Sequence, residues 1–265
     1  GQEILEDTSK TIVITAERRP ISEEKLMNSF ALLKKDQLVQ NVSRSMAEAL
    51  MGIAGVWMQK TNHGGGSPFI RGLTGNQTLL LVDGIRLNNS TYRYGPNQYF
   101  NTIDVLNVSQ VEISRGSGSV LYGSDAMGGT INILTNHAQF CFEGKSINGG
   151  ITGRLMSNNM ESSGRIYAQY CDSNTAIRLG TSQRKFGELV TGGERIVLED
   201  SDYNESSYDV SFRQRFGERI QLKVVYNGTF PRNIGRNDQI TQRGYSRYEF
   251  NPQIRQLGYA RLSFY

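Results

Sequence analysis

Two short glycine motifs have part of the pattern that binds a phosphate group. Gly144–Lys145–Ser146 has the form of the end of a phosphate-binding loop, but Gln139 stands where the leading glycine belongs. Gly116–Ser117–Gly118 is not followed by the third glycine of a dinucleotide-binding motif. The sequence also has no pair of titratable residues at catalytic spacing. We therefore expect neither nucleotide binding nor enzymatic activity.

The cysteine content and the charge exclude further classes of site. Cys141 and Cys171 lie thirty residues apart, and a single pair at this distance predicts neither a metal site nor a disulfide framework. The net charge of +4 over 265 residues is mild and predicts no nucleic-acid partner. Hydrophobic residues make up 37% of the chain, and no run of ~18 apolar residues occurs. A transmembrane helix is thereby excluded, whereas the alternating strands of a membrane β-barrel are not.

The chain divides into two parts near Thr135–His137. Residues 1–138 carry 12 Lys and Arg against 12 Asp and Glu, and residues 139–265 carry 17 against 13. Short helix and strand patterns mix in the first part, whereas the second part alternates with a period of two. We therefore expect two domains.

The first part has the signals of a small α+β domain. Ser45–Glu48 is a capping box that predicts a short helix through Leu50 and Met51. Asp83–Gly84 predicts a hairpin turn directly after a buried strand. The predicted strands cover residues 11–15, 79–82, 110–114 and 129–135.

The second part contains six alternating segments, each near the ~9–11 residues of a tilted transmembrane strand. Two connections are short, Asp172–Asn174 and Gly217–Arg219, and two others have roughly twenty residues. Short turns on one side and long loops on the other are typical of outer-membrane barrels. A soluble antiparallel sheet with one wet face remains an alternative.

The number of strands does not match the size of the first domain. A domain of 138 residues fits only inside a large plugged barrel of about 22 strands. We therefore expect either that the chain is a partial view of a longer one, with Tyr265 as an interruption point, or that other segments complete the barrel. No leader precedes Gly1, which predicts either a cytosolic or a processed chain.

Four separated motifs resemble the plug domain of TonB-dependent outer-membrane receptors, over about residues 11–136. These motifs are Ser67–Gly72, Leu80–Arg86, Val111–Gly116 and Ser119–Asn132. The resemblance implies an α+β plug domain followed by antiparallel transmembrane β-barrel strands in the bacterial outer membrane. The expected domains are an N-terminal segment over 1–16, the plug over 17–138 and the first six or so barrel strands over 139–265.

The segment near the N-terminus resembles the TonB box of this family. It consists of Ile12, Val13, Ile14, Thr15 and Ala16. Such a segment would pair as an added strand with the TonB energy transducer. An ordinary first strand of the plug is the alternative.

Three charged plug residues match the family's ionic lock between plug and barrel: Arg71, Glu112 and Arg115. Buried charges must be paired, so we expect opposite charges near them. Their barrel partners are expected beyond Tyr265. A static salt bridge within the plug is an equal alternative to a switching role.

Two plug loops, at 59–68 and 88–100, are expected to face the substrate. Their candidate contact residues are His63, Tyr92, Arg93, Tyr94, Asn97, Gln98 and Tyr99. The stretches 59–71 and 88–104 look closest to the haem/haemoglobin-type branch, in which His63 is a candidate ligand of haem iron. A loop packed on the barrel floor and an incidental histidine are the alternatives.

The strand faces expected to line the barrel lumen are basic. They carry Arg154, Arg165, Arg178, Arg213, Arg215, Lys223, Arg255 and Arg261. We expect these residues to pair with plug carboxylates; a path for anionic ligands is the alternative.

The resemblance implies active transport of a scarce nutrient across the outer membrane. The implied partners are the TonB complex, outer-membrane lipid and a small iron- or cobalt-containing ligand or its carrier protein. Haem, a ferric siderophore and cobalamin are the candidate cargoes, and we expect no resident cofactor. A docking receptor for surface partners without its own uptake is the alternative, and a soluble β-sandwich is a third.

Overall fold

The computed structural model describes residues 12–13, 21–22, 30–60, 66–87, 99–116, 123–158, 160–193, 196–199, 201–232 and 255–264. Its N-terminal strands are β1 (Ile12–Val13), β2 (Ile21–Ser22), β3 (Phe30–Lys34), β4 (Val56–Lys60), β5 (Gly66–Ile70), β6 (Thr78–Val82), β7 (Ile85–Arg86), β8 (Val108–Arg115) and β9 (Gly129–Thr135). The helices α1 (Lys35–Gln40) and α2 (Met46–Ala49) lie between β3 and β4. The C-terminal strands are β10 (Ser146–Met156), β11 (Glu161–Cys171), β12 (Thr175–Phe186), β13 (Leu189–Val190), β14 (Val197–Leu198), β15 (Tyr203–Phe216), β16 (Ile220–Arg232) and β17 (Arg255–Phe264).

A five-stranded sheet forms the centre of the N-terminal domain, in the order β3-β8-β9-β6-β7. β6 runs parallel to β9, whereas the other neighbours are antiparallel. Every residue of β6 is buried, because Leu80 and Val82 pack into the main core and Leu79 and Leu81 pack with Ala126 on the opposite face. Burial on both faces explains its continuous apolar sequence.

The local signals of this domain are confirmed with one correction. Asp83 and Gly84 have φ of 52° and 80° and join β6 to β7, as an Asp-Gly hairpin turn requires. Ser45 Oγ accepts from Glu48 N at 3.3 Å, as in a capping box. The Glu48 carboxylate, however, accepts from the backbone of Arg44 at 2.8 Å. The predicted length of this helix was wrong: α2 ends at Ala49, before Leu50 and Met51.

The second domain is a six-stranded antiparallel sheet in the order β10-β11-β12-β15-β16-β17. The six alternating segments are confirmed as its strands. One face is apolar and exposed: Ile147, Ile151 and Leu155 on β10 are 81%, 82% and 84% accessible. The other face is polar and lies against the N-terminal domain, with Arg165 and Ser182 buried there. Alternation thus separates a face suited to lipid from a face that contacts protein.

The connections between these strands alternate in length. Residues 172–174 and 217–219 form tight turns at one end of the sheet. At the other end, residues 187–202 include the small β13–β14 hairpin, and residues 233–254 join β16 to β17. The first connection at this end, 157–160, is short. Among the described residues, no helix is long and apolar enough to cross a membrane.

The link between the domains runs from Thr135 at the end of β9 to Ser146 at the start of β10, and the expected boundary at 138 lies within it. Cys141 in this link forms a disulfide with Cys171 at the end of β11, with the two Cα atoms 5.4 Å apart. The expectation that the cysteines form no disulfide was therefore wrong. Their spacing along the chain does not reveal that the link folds back beside the tight-turn end of the sheet.

Candidate functional site: the buried polar interface between the two domains

Arg165 of the six-stranded sheet joins carboxylates from both domains. Its Nη1 lies 3.2 Å from Asp104 Oδ2 in the N-terminal domain and 2.8 Å from Asp209 Oδ1 on β15. Its Nη2 donates to Asn107 Oδ1 at 2.9 Å. Ser182 Oγ donates to Asp104 Oδ2 at 2.6 Å. The side chains of Arg165, Asp104 and Asp209 are 3%, 6% and 7% exposed, so one guanidinium is shared by two buried carboxylates.

Local structure explains the position of Asp104. It caps a short 3₁₀ helix, Val105–Asn107, and its Oδ1 accepts from Leu106 N at 3.0 Å. One carboxylate oxygen is thereby held by its own domain, and the other is free to face the sheet. The cap sets the direction of the carboxylate toward Arg165.

A second contact lies just before α2. Arg154 Nη1 donates to the carbonyl of Ser43 at 2.8 Å, and Arg184 Nη2 donates to the carbonyl of Arg44. Two barrel-sheet arginines therefore hold the backbone that leads into α2. Side-chain donors of the sheet thus satisfy backbone carbonyls just before the helix.

Two buried glutamates of the sheet balance these arginines. Glu205 Oε1 lies 3.2 Å from Arg184 Nη1, and Glu161 lies 3.5 Å from Arg184 and 3.4 Å from Arg154. Glu161 and Glu205 side chains are 0% and 2% exposed. The cluster contains two cations and two anions, which keeps buried charge compensated.

The gap between the domains is small where they meet. Asn107 Nδ2 donates to Asn227 Oδ1 at 3.1 Å, and Ala138 N donates to Ser211 Oγ at 3.1 Å. The cavity beside them, lined in part by Val82 and Thr135, has a volume of about 30 Å³, room for one or two waters. The two domains are therefore in close contact here.

Asp83 fastens the β6–β7 turn to the link between the domains. Its carboxylate accepts from Thr135 N at 2.9 Å and Thr135 Oγ1 at 2.7 Å, and it lies 3.1 Å from His137 Nε2. Burial raises the pKa of Asp83, but the hydrogen bonds from His137 and Thr135 outweigh it and leave the pKa below its usual value. The charged carboxylate therefore holds the end of β9 in place.

Glu48 organises the start of α2. It lies 2.5 Å from Arg44 Nη2 and also forms an ion pair with Lys60 at the end of β4. Burial raises the pKa of Glu48, but the bonds from Arg44 and Lys60 lower it more, to about 2. Because Arg184 binds the carbonyl of this same Arg44, the pair connects the domain interface to the β4–β5 hairpin.

The predicted lock residues lie within the N-terminal domain. Glu112 is fully buried on β8 and accepts from Gln110 Nε2 at 2.8 Å. Arg115 donates to the carbonyls of Ala54 and Phe30 at 2.8 and 2.9 Å. Arg71 is exposed, and its guanidinium lies beside Gly116, where an added Cβ would be 3.3 Å from Nη1. Arg71 and Arg115 flank the turn before β4, and their pairing with barrel carboxylates stays a prediction.

Most of the other predicted site residues lie outside the described residues. In the TonB-box-like segment, Ile12 and Val13 form β1 and pair with β2 in the register Ile12↔Ser22, Val13↔Ile21. The described residues do not include Ile14, Thr15 and Ala16, nor the loop positions His63, Tyr92, Arg93, Tyr94, Asn97 and Gln98. Tyr99 begins a 3₁₀ turn, Tyr99–Thr102. In the described part of the chain, no cluster of three or more His, Cys, Asp or Glu could hold a metal ion.

The basic face expected in the lumen has mixed partners. Arg165 pairs with a carboxylate of the N-terminal domain, as expected. Arg154 and Arg213 donate instead to backbone carbonyls of Ser43 and Ala138. Arg178 lies 3.8 Å from the centroid of the Tyr167 ring, and Arg215 donates to the carbonyl of Ser173.

Sequence reasoning missed Arg184, Asp104, Asp209, Glu161 and Glu205. For Arg184 the signal was present, because it lies six residues after Arg178 and an even number places it on the same face. For Glu161, Glu205 and Asp209, alternation along β11 and β15 gives the face but not the partner. Asp104 caps a 3₁₀ helix, so alternation says nothing about it.

The comparisons with known proteins agree with this architecture. The profile of the TonB-dependent Receptor Plug Domain family matches residues 22–130. The vitamin B12 transporter BtuB of Vibrio vulnificus strain CMCP6 is 34% identical over 136 residues, which cover 50% of this chain and 22% of that protein. BtuB of Vibrio cholerae strain M66-2 is 32% identical over 146 residues, or 54% of this chain and 23% of that protein. The chain thus spans about a fifth of the length of these relatives.

Solved structures share the fold at lower sequence identity. FpvA of P. aeruginosa in complex with iron and pyoverdine has a TM-score of 0.65 at 15% identity, covering 86% of this chain and 29% of that one. The ferric enterobactin receptor PfeA of Pseudomonas aeruginosa has a TM-score of 0.62 at 16% identity, covering 89% and 38%. These likenesses extend the match across the six-stranded sheet. They do not test the expected likeness to the haem/haemoglobin-type branch, which stays a prediction.

Proposed function

Because this chain belongs to the TonB-dependent receptors of the bacterial outer membrane, with its plug domain matched over residues 22–130, we propose that the protein takes up a scarce nutrient. The plug is the N-terminal domain, and the barrel wall is the six-stranded sheet. The energy for uptake comes from the TonB complex. No bond of the cargo is made or broken.

The observation that carries this proposal is the contact of Arg165 with Asp104 and Asp209. It closes the plug against the wall with buried charges, yet every partner of Arg165 is a polar group that water can replace. A contact of this kind holds a plug in place at rest. It also separates without breaking an apolar core, as a plug that must move requires.

The cargo that we propose to test first is cobalamin, because the curated relatives named above are vitamin B12 transporters. Ferric siderophores come next, since FpvA and PfeA were solved with iron–pyoverdine and enterobactin. Haem remains the third candidate, with His63 as its proposed iron ligand.

The proposed partner of the N-terminal segment is TonB. β1 is a strand of two residues that pairs with β2. Its release from β2 would expose backbone groups to which a strand of the transducer can add. Ligand binding outside would favour this released state.

The test is whole-cell uptake by the full-length receptor of labelled cobalamin, a ferric siderophore and haemin, each in cells with and without TonB. We expect accumulation of one cargo that requires both the receptor and TonB. Binding of a cargo at the cell surface with no TonB-dependent accumulation would contradict uptake and favour a docking receptor instead.

A further inference from the structure

The turn between α1 and α2 holds a valine in a backbone conformation that valine rarely adopts. Val42 has a φ of 48°, in the left-handed region, directly after Asn41, the C-cap residue of α1. Among the non-glycine residues that the structure describes, four have a positive φ, and Val42 is the β-branched one of them. A β-branched side chain crowds the backbone in this region, so the turn is strained.

The residues around Val42 do not explain this conformation. The left-handed residue after a helix is usually glycine and sometimes asparagine, and an apolar contact of the next residue often accompanies it. Here the asparagine lies one position earlier, since Asn41 has a φ of −71°, and the next residue is the polar Ser43. The Val42 side chain is 49% exposed, so burial offsets little of the strain. The local sequence therefore favours a different conformation of this turn.

The barrel wall supplies bonds that hold the turn. Arg154 Nη1 on β10 donates to the carbonyl of Ser43 at 2.8 Å and lies 3.5 Å from the carbonyl before it. Arg184 Nη2 on β12 donates to the carbonyl of Arg44. The buried Glu161 lies 3.4 and 3.5 Å from the two guanidinium groups and fixes their positions. Strained backbone persists where its surroundings over-determine it, and here the surroundings belong to the other domain.

We propose that residues 41–44 form a latch, which the wall holds in a strained conformation and which relaxes when the plug leaves the wall. In the docked plug, hydrogen bonds from two charged donors outweigh the strain. Once these bonds are lost, the turn takes the conformation that its own sequence favours, and the strain is released. The inference goes beyond the proposed uptake, because it concerns only how the plug is held at rest.

The test is hydrogen–deuterium exchange of the full-length receptor in detergent. It is read as the protection of the amides of Asn41 and Val42, which donate to the carbonyls of Gln37 and Val39 at 2.9 and 3.1 Å. We expect Val42→Gly to raise this protection roughly two- to tenfold, because the left-handed cost of a β-branched residue exceeds the extra backbone freedom of glycine. Val42→Ala should raise it less than Val42→Gly does, since alanine keeps the Cβ that crowds the backbone.

The matched control is Val39→Gly, because Val39 is an exposed valine within α1. Glycine at this position should lower the protection of the same two amides, since it weakens a helix without relieving strain. The two substitutions of valine by glycine, three residues apart, are thus expected to have opposite signs.

Arg154→Met tests whether the wall holds the latch. Methionine cannot donate a hydrogen bond, and Glu161 keeps Arg184 as its partner. We expect the protection of the two amides to fall about tenfold or more, because a hydrogen bond from a charged donor is lost. Val42→Gly added to Arg154→Met should recover part of this loss.

Three results would overturn the proposal. Lower or unchanged protection in Val42→Gly would show that the valine is not strained. Equal increases from Val42→Gly and Val42→Ala would assign the effect to the side chain rather than to the backbone. Unchanged protection in Arg154→Met would show that the wall does not hold the turn.

Discussion

At the scale of single residues, the contact between plug and wall depends on one arginine, Arg165, that two buried carboxylates share. Arg165 serves both Asp104 and Asp209, so its removal leaves two buried carboxylates facing each other. Removal of either carboxylate leaves the arginine with the other. The arginine is therefore the residue whose loss disturbs the interface most.

We predict that Arg165→Leu lowers the stability of the folded receptor by about 3–5 kcal/mol, because it leaves buried carboxylates without their cation. Asp104→Asn should cost less, because Arg165 keeps Asp209 as a partner. Thermal unfolding of the full-length protein measures this difference. Arg219→Leu, in an exposed tight turn, serves as the control. If Asp104→Asn proved as harmful as Arg165→Leu, the shared role of the arginine would be wrong.

Glu48 predicts a dependence of plug stability on pH. Its pKa in the folded plug is about 2, below the ordinary 4.5, so the charged carboxylate contributes stability that is full above about pH 4.5 and is lost as the pH falls toward 2. Glu48→Gln should therefore cost about 2–3 kcal/mol near neutral pH and progressively less between pH 4.5 and 2. Melting curves of both proteins across this range provide the measurement. A difference that stays constant with pH would contradict the ion pairs of Glu48 with Arg44 and Lys60.

At the scale of elements, the link between plug and barrel is attached at several points. The disulfide Cys141–Cys171 joins it to β11, Cys141 N donates to the carbonyl of Asp172, and Phe140 packs under Arg213 and Arg215 at 4.6 and 4.2 Å. Because β9 leads directly into this link, the C-terminal side of the plug is anchored to the wall. Movement of the plug is therefore expected to begin at its edge strand β3, which is held by β8 and precedes the wall contacts at Ser43 and Arg44.

Replacement of both cysteines by serine should lower the stability of the receptor by about 3–4 kcal/mol, as expected for a closed loop of 30 residues. Thermal unfolding with and without reductant provides the measurement. The unmodified receptor should lose this stability on reduction, and the double serine variant should be insensitive. Alkylation of both thiols in the folded, unreduced protein would show that the bond is absent.

At the scale of the whole molecule, the barrel sheet separates lipid from protein by alternation along each strand. Leu179 lies in the middle of β12 on the exposed apolar face of the six-stranded sheet. Gln183 lies on the same strand and the same face, nearer the end of the sheet that carries the long connections. An arginine at these two positions therefore meets different depths of the bilayer.

Leu179→Arg should destabilise the inserted barrel by about 2–4 kcal/mol, whereas Gln183→Arg should cost about 0–1 kcal/mol, because the cost falls toward the interface. Reversible unfolding of the full-length receptor in lipid bilayers measures both. Equal costs would contradict the assignment of this face to the membrane.

The parts of this molecule that the sequence predicts are those with local causes. The Asp83–Gly84 turn and the alternation of β10 to β17 each follow from neighbours a few residues apart. The contact of Arg184 with the carbonyl of Arg44 joins residues 140 positions apart, and the Cys141–Cys171 bond depends on the same docking of the plug. No local pattern encodes such contacts, since they form only when the two domains pack together.

The most direct test of energised uptake is the rate of cargo accumulation after deletion of residues 12–16 from the full-length receptor. The deletion removes β1 and the TonB-box-like segment but none of the described residues of the plug contact or the barrel wall. Equilibrium binding of the cargo to the same cells serves as the internal control for a folded receptor. We predict unchanged binding and accumulation that falls to the level of cells without the receptor. Accumulation at the rate of the intact receptor would contradict transport driven through this segment.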